Sequence, residues 1–297
     1  MKFLDLFAGV GGIRLGMEQA GHSCIGWVEW DKFARKSYVA IHKPDGEFTE
    51  KDINNVNSQE LPKADCWCFG FPCQDISVAG KQGGFTNGKR SSLFFKVTGL
   101  IRELKEEDKP SYLFIENVKN LLSINKGWDF AKLLIEMDEI GYDVEWGVLD
   151  SAEVVPQHRE RIFIVGYLRG RRTRKVFPIV REDGKTDEPD KTVKQVGNIS
   201  DSKSFGGNPQ VGRVYGTDGI SPTLSTMQGG GQEPKILNDY RVRKLTPLEC
   251  WRLQGFPDWA FTRAREAGLS DSQLYKQAGN SVTVPVIKAI VDRMNLQ

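Results

Sequence analysis

The sequence predicts an α/β protein: a doubly wound, mostly parallel sheet wrapped by helices, joined to a small loop-rich β region. Three observations predict it. In the first half, apolar runs of strand length alternate with segments of helical spacing, as in a parallel sheet covered on both faces. A glycine-rich turn, Gly9-Val10-Gly11-Gly12, links the first such run to the first helical segment. From about Gly170 to Asn238, glycine, proline and polar residues dominate and helical periodicity vanishes. A chain of 297 residues, 39% apolar and 27% charged, can bury one large core and a lesser one. The expected division is a sheet-and-helix domain at 1–169, the loop-rich domain at 170–240, and a C-terminal segment at 241–297 that returns to complete the first.

Taken in order, Lys2–Phe7 reads as a strand and Ile13–Ala20 as a helix stopped at Gly21. Ser23–Val28 is a second strand and Lys32–Ile41 a second helix. Asp65–Phe69 is a buried run ended by Gly70-Phe71-Pro72. Ser91–Lys105 has helical spacing, Tyr112–Ile115 is a strand, and Trp128–Ile140 is a helix ending at Gly141. Asp143–Asp150 and Arg161–Tyr167 follow as strands. Within the loop-rich region Val211–Tyr215 and Thr223–Met227 keep β-forming residues between turns. Helical patterns return at Pro247–Leu253 and Val284–Met294.

A net charge of +2 decides little, but its distribution is uneven: five of the seven residues from Arg169 to Lys175 are basic. Alone, such a cluster reads as a solvated surface. No apolar stretch approaches about 18 residues, so no membrane span is expected. Asp5 falls where a signal peptide needs its apolar run, which points to a cytoplasmic protein. Five cysteines, an odd number, with no secretion signal argue against a disulfide framework. Cys66 and Cys68 form C-W-C, not C-x-x-C, and there are three histidines, so no metal site is expected.

The glycine turn lets backbone approach a ligand, and the helix start behind it offers unpaired N–H groups. It departs from G-x-G-x-x-G, because Arg14 stands at the third glycine's place; this weakens a nicotinamide-dinucleotide reading. Two acids add to it. Glu29 ends the second strand, 20 residues after Gly9, where a carboxylate accepts from both ribose hydroxyls. Asp52 lies beyond a further loop, placed to accept from an adenine amino group, and Trp30 is placed to lie on the adenine face. The competing reading makes the acids surface residues and Trp30 core.

Gly70-Phe71-Pro72-Cys73-Gln74 follows a strand, and loops at strand C-termini line the ligand crevice of such a sheet. The turn around Cys73 sets it apart from Cys24, Cys66, Cys68 and Cys250, which read as small buried hydrophobes. Ser77–Arg90, with four glycines and three cations, reads as a phosphate-seeking lid. Glu116, in Ile115-Glu116-Asn117-Val118, ends another strand on the crevice side. Arg159 and Arg161, in Gln157-His158-Arg159-Glu160-Arg161, are two apart and so share a face of a strand. A thiol, a carboxyl group and two guanidiniums at one crevice form an unusual chemical set; a structural salt bridge among the last three is the plainer alternative.

In these segments the chain resembles the DNA cytosine-5 methyltransferase family of bacterial and phage restriction-modification systems. The match runs in order through D-L-F-A-G-V-G-G, Glu29, Asp52, G-F-P-C-Q, E-N-V, Q-H-R-E-R-I, R-K-L-T-P-L-E-C and Q-A-G-N-S-V. The resemblance implies the S-adenosylmethionine-dependent methyltransferase fold, with 170–240 as the target-recognition domain. It implies that Cys73 is the nucleophile, that Glu116 engages cytosine N3 and that Arg159 and Arg161 hold the base. It further implies that Phe7, Glu29, Trp30 and Asp52 contact S-adenosylmethionine; Gly9, Gly11, Pro72, Leu93 and Asn280 are grouped with them. Double-stranded DNA is the expected partner, with Gln74, Ser77, Lys81, Arg90, Gln210, Arg213 and Thr223 as DNA contacts. A monomer is expected, and a cognate restriction endonuclease would share the DNA word without binding the chain. The rival readings are an RNA cytosine-5 methyltransferase, a non-catalytic DNA-binding regulator, and a nicotinamide oxidoreductase.

Overall fold

The apolar runs of the first half assemble into one seven-stranded sheet. The computed structural model describes residues 1–71, 92–170, 176–177, 192–199, 211–228 and 230–294. Its first part runs β1 (Lys2–Leu6), α1 (Gly12–Gln19), β2 (Ser23–Val28), α2 (Lys32–His42), β3 (Phe48–Glu50) and β4 (Cys66–Gly70). Then come α3 (Ser92–Glu103), β5 (Tyr112–Val118), α4 (Trp128–Glu139), β6 (Tyr142–Asp150) and β7 (Glu160–Leu168). The strand order is β3-β2-β1-β4-β5-β7-β6. The pairs from β3 through β5 are parallel, whereas β7 is antiparallel to both β5 and β6.

This topology places the site. The chain winds outward from β1 in one direction through β2 and β3, and in the other through β4 and β5, so a crevice opens where the order reverses, at the C-termini of β1 and β4. Because β7 runs the opposite way, its beginning lies at that same edge: Arg161 pairs with Val118 and Phe163 with Glu116. The direction of β7 is what brings the Q-H-R-E-R segment to the crevice.

Strand alternation explains the layers. Trp67 and Phe69 of β4 join Phe94, Val97 and Leu100 of α3 and Phe130 and Leu133 of α4 in one core. The intervening Cys66 and Cys68 face the opposite core, with Ile13 and Met17 of α1. That second core is closed by α8 (Val284–Met294), whose Val286, Ile287, Ile290 and Val291 are buried there. At Gly16 a Cβ would stand 2.5 Å from Ile287, so α1 and α8 approach as closely as they do because α1 has no side chain there. Arg14, at the third glycine's place of the turn, is buried instead by two carboxylates: Nε to Glu18 at 2.7 Å and the guanidinium forked on Glu47 at 2.8 Å.

The loop-rich region holds a second sheet, order β11-β10-β9-β8, made of β8 (Gln195–Asn198), β9 (Arg213–Gly216), β10 (Lys235–Asn238) and β11 (Arg241–Lys244), the last strand falling past the expected boundary at 240 because it pairs with β10. Thr223–Met227 forms no strand; it is an irregular strap between β9 and β10. After β11 come α5 (Pro247–Leu253), α6 (Asp258–Glu266) and α7 (Asp271–Asn280). A capping box at Thr246 and Glu249, with Pro247 in the first turn, starts α5. Helices α6 and α7 were not foreshadowed by periodicity, since α6 buries only Ala260, Phe261 and Ala264. Among the described residues no helix is long and apolar enough to cross a membrane.

Candidate functional site

A single cavity of about 750 Å³ occupies the crevice, and it collects residues from the ends of β1, β2 and β5, the start of β7 and the end of α7. Its first half is built from the glycine turn. Phe7 leaves β1 in the left-handed region at φ 56°, and Gly9 and Gly11 follow at 57° and 84°. At Gly11 a Cβ would fall 2.0 Å from His42 Nε2, so that position admits no side chain. The turn is pinned to β2: Ala8 N–H donates to Val28 O at 3.0 Å, and Gly9 N–H donates to Glu29 Oε2 at 2.7 Å. The other Glu29 oxygen accepts from Asp31 N–H at 2.7 Å. Burial pushes the Glu29 carboxyl above the ordinary range, and the N–H groups of Asp31 and Gly9 oppose that shift.

Glu29, Trp30 and Asp52 all line this half of the cavity, with Phe7, Gly9 and Leu93. Trp30 is 78% exposed, which rules it out as a core residue and leaves its ring free beside the cavity. Asp52 Oδ1 accepts from Asn54 N–H and Nδ2, each at 2.9 Å, so its carboxylate is held at the rim. Asn280, the last residue of α7, closes the far wall. The group of residues fits a nucleoside: a half-buried carboxylate beside a glycine-rich turn and an exposed indole.

The second half centres on Glu116. Its carboxylate meets Arg161 Nε at 3.1 Å, with side-chain exposures of only 13% and 16%. Burial raises the Glu116 carboxyl above its usual value, against the lowering effect of Arg161 and Arg159. Arg161 also donates to Glu160 O at 2.7 Å. Asn117, next along β5 and 3% exposed, donates to Phe71 O at 2.8 Å and so fixes the last described residue before Pro72 and Cys73. Asn117 stands in the E-N-V motif with no partner evident from its spacing; its acceptor is the residue that follows β4.

Arg159 lines the same cavity, near enough for its charge to act on Glu116 and Arg161, but its two terminal nitrogens are committed to main chain. It is 2% exposed and donates to three backbone carbonyls: Leu224 O at 3.2 Å, Gly279 O at 2.9 Å and Ser281 O at 2.7 Å. Arg159 precedes β7 rather than sitting on it, and its hydrogen-bond partners are main-chain carbonyls where Arg161 has the Glu116 carboxylate. Gln157, fully buried, donates to Leu253 O at 2.9 Å and accepts from Leu224 N–H at 3.1 Å. Thr223, an exposed residue, gives its hydroxyl proton to His158 O at 2.6 Å. The strap at 221–227 is thereby knitted to the Q-H-R segment, with further backbone bonds joining His158 to Ser221 and Ser221 to Pro156.

Arg213 is exposed at the start of β9. Pro72, Cys73, Gln74, Ser77, Lys81, Arg90 and Gln210 lie outside the described residues. Among the described residues no group of three or more His, Cys, Asp or Glu is arranged to hold a metal ion. Sequence reading missed Asp31, Lys276 and Gln277, which line the nucleoside half from α2 and α7; with α7 unrecognised, nothing in the pattern pointed to the last two.

Comparison with known proteins agrees with this architecture. The model of the C-5 cytosine-specific DNA methylase family matches residues 1–210 and 179–295. The chain is 34% identical to Type II methyltransferase M.HhaI of Haemophilus parahaemolyticus over 98% of its length and 93% of that protein's. It is 36% identical to Type II methyltransferase M.SsoII of Shigella sonnei, covering 99% of this chain and 79% of the relative. Among solved structures, the Entamoeba histolytica methyltransferase EhMeth superposes with a TM-score of 0.74 at 18% identity, over 99% of this chain and 97% of the other, which speaks to the fold. The chain belongs to the C-5 cytosine-specific DNA methylase family.

Proposed function

We propose that this enzyme methylates carbon 5 of a cytosine extruded from double-stranded DNA, through a transient bond between Cys73 Sγ and C6 of the base, with S-adenosylmethionine as donor. The observation that carries the reading is one cavity holding a nucleoside-shaped half at Glu29 and Trp30 and, at its other end, a largely enclosed Glu116–Arg161 pair. When bound, S-adenosylmethionine supplies a methyl group carried on a cationic sulfonium. Glu29 would hold the ribose, Trp30 the adenine face and Asp52 the adenine amino group, while Gly9 gives the backbone room and Gly11, packed on His42 outside the cavity lining, shapes the turn.

Carbon 5 of cytosine is a weak nucleophile, so the ring needs activation. Cys73 thiolate adds to C6, and the electron pair of the C5–C6 double bond shifts into the ring toward C5 and N3. Glu116, its carboxyl kept protonated to higher pH by burial, gives its proton to N3 as that charge builds. Arg161, fixed by Glu116 and by Glu160 O, donates to the base O2. Carbon 5 then takes the methyl group. Loss of its proton to water, with departure of the Cys73 thiolate and return of the N3 proton to Glu116, regenerates the aromatic ring and the enzyme. A base-paired cytosine cannot reach this pocket, so it must leave the stack at an expense of a few kcal/mol. The segment 170–240 would select the DNA word, with Arg213 and Gln210 entering the duplex and Ser77–Arg90 closing over the site.

The deciding experiment incubates purified protein and S-adenosylmethionine with duplexes carrying 5-fluorocytosine, whose C5 cannot release a proton. A denaturation-resistant complex that maps to Cys73 and vanishes in Cys73→Ala is expected. Methylation of ordinary duplex by Cys73→Ala near the wild-type rate would overturn the covalent route; labelling of transfer RNA in place of duplex DNA would overturn the substrate.

A further inference from the structure

The second sheet contains a buried cation that the methyl-transfer chemistry does not use. Lys235 opens β10 at a core-facing position, 4% exposed, opposite Val214 of β9 and Lys244 of β11. Its ammonium donates to Val211 O at 2.8 Å, Gly231 O at 2.7 Å and Glu233 O at 3.2 Å. An ammonium has three N–H donors, and all three are used here on backbone carbonyls. Those carbonyls come from two loops far apart in sequence. One is the segment two residues before Arg213; the other is the turn in which Gly230 and Gly231 take φ 65° and 71°.

A charge buried at a strand position that favours an apolar side chain is expensive unless it is fully hydrogen-bonded. An apolar residue of the same length would fill the space without that expense but would leave three carbonyls converging on nothing. The ammonium thus acts as a template for loop shape. Beside it, Lys244 Nζ lies 3.1 Å from the Glu233 carboxylate, which ties the same turn to β11.

We propose that Lys235 is a positioning residue for DNA sequence recognition, its ammonium setting the relative placement of the loop that presents Arg213 and the Gly230–Glu233 turn. This rests on the reading of 170–240 as the recognition region. Edge-on reading of a base by a guanidinium depends on alignment within fractions of an ångström, so a loop released by about 1 Å loses discrimination before it loses rate.

The test first identifies the methylated word by bisulfite sequencing of DNA from cells expressing the full chain. Wild type, Lys235→Met, Lys235→Arg and Arg213→Ala are then compared on duplexes carrying that word or a single-base change in it. For Lys235→Met the KM for the cognate duplex should rise about tenfold with kcat held within about twofold, and the cognate preference should fall about tenfold. Lys235→Arg, which keeps a cation and its donors, should recover most of both. If Lys235→Met keeps the wild-type preference while Arg213→Ala loses it, the proposal fails and the recognition reading survives. If neither variant alters the preference, the recognition reading fails with it. A uniform loss of kcat on every duplex at unchanged preference also overturns the positioning role. Should Lys235→Met not fold, Lys235→Gln, uncharged with two donors, carries the same comparison.

Discussion

Replacing Gly279 by alanine tests whether the recognition strap and the catalytic wall are one mechanical unit. A Cβ at 279 would stand 2.0 Å from Ser225 O, 2.5 Å from Ser225 C and 2.8 Å from Thr226 Cα, all backbone atoms. Since contacts below 3.0 Å are essentially never made by real Cβ atoms, the strap must retreat by at least 1 Å. Arg159 holds Leu224 O at 3.2 Å and Gln157 holds Leu224 N–H at 3.1 Å, so the same retreat carries both beyond hydrogen-bond range. The loss is about 1 kcal/mol for the neutral bond and about 2 kcal/mol for the charged one. At 297 residues, about 3 kcal/mol corresponds to a fall in Tm of roughly 5 °C. Gly99→Ala is the control. It sits in α3 with no atom within 4 Å of its Cβ, and should leave Tm unchanged or raise it slightly. Calorimetry measures the melting, and single-turnover methylation on saturating duplex measures the rate, which should fall in Gly279→Ala by more than about tenfold as Arg159 shifts. A Gly279→Ala protein that melts and turns over like Gly99→Ala would refute the coupling.

Three further outcomes follow from the site. Glu116→Gln should lower the single-turnover rate by at least about a hundredfold, with cofactor affinity from calorimetric titration unchanged; an unaltered rate removes Glu116 as the N3 partner. Because burial raises the Glu116 pKa and the working form is the protonated one, the wild-type rate should decline as pH rises through that raised value, and the decline should be absent from the residual Glu116→Gln activity. Trp30→Ala should weaken S-adenosylhomocysteine binding about tenfold while leaving Tm within a degree or two, since the ring is 78% exposed and supports no core; a large fall in Tm would contradict that placement.

Much of the large sheet was legible because its strands are short apolar runs with glycine or proline punctuation. β2 at Ser23–Val28, α5 at Pro247–Leu253 and α8 at Val284–Met294 fall where pattern alone puts them. What pattern does not carry is direction. Nothing in Glu160–Leu168 says that it runs antiparallel to β5, yet that direction brings Arg161 against Glu116. Short elements with few buried residues were also hidden: β3 spans three residues, and α6 presents mainly polar side chains. Thr223–Met227 has β-forming composition but no ladder partner, because its backbone groups are taken by Gln157 and Arg159.

The site was legible where chemistry sits on side chains and opaque where it depends on backbone acceptors. Glu29, Trp30, Glu116 and Arg161 announce themselves by type and by position at or near a strand end. Arg159 and Lys235 do not, because their partners are carbonyl oxygens that every residue possesses. A sequence shows an arginine two residues from another and invites a shared task; the fold instead gives one a carboxylate and the other three main-chain oxygens. A lysine that opens a short strand after Glu233-Pro234 reads as surface, yet this one is 4% exposed with all its donors engaged. Both cations sit where the strap and recognition loops meet the rest of the fold, and both hold segments that no hydrophobic periodicity organises. In a region too rich in glycine and polar residues to build a deep core, a buried cation can fix loop geometry that apolar packing elsewhere supplies. The variants at 235 and 279 therefore probe one physical question: whether carbonyl-bound cations set the shape of a recognition region.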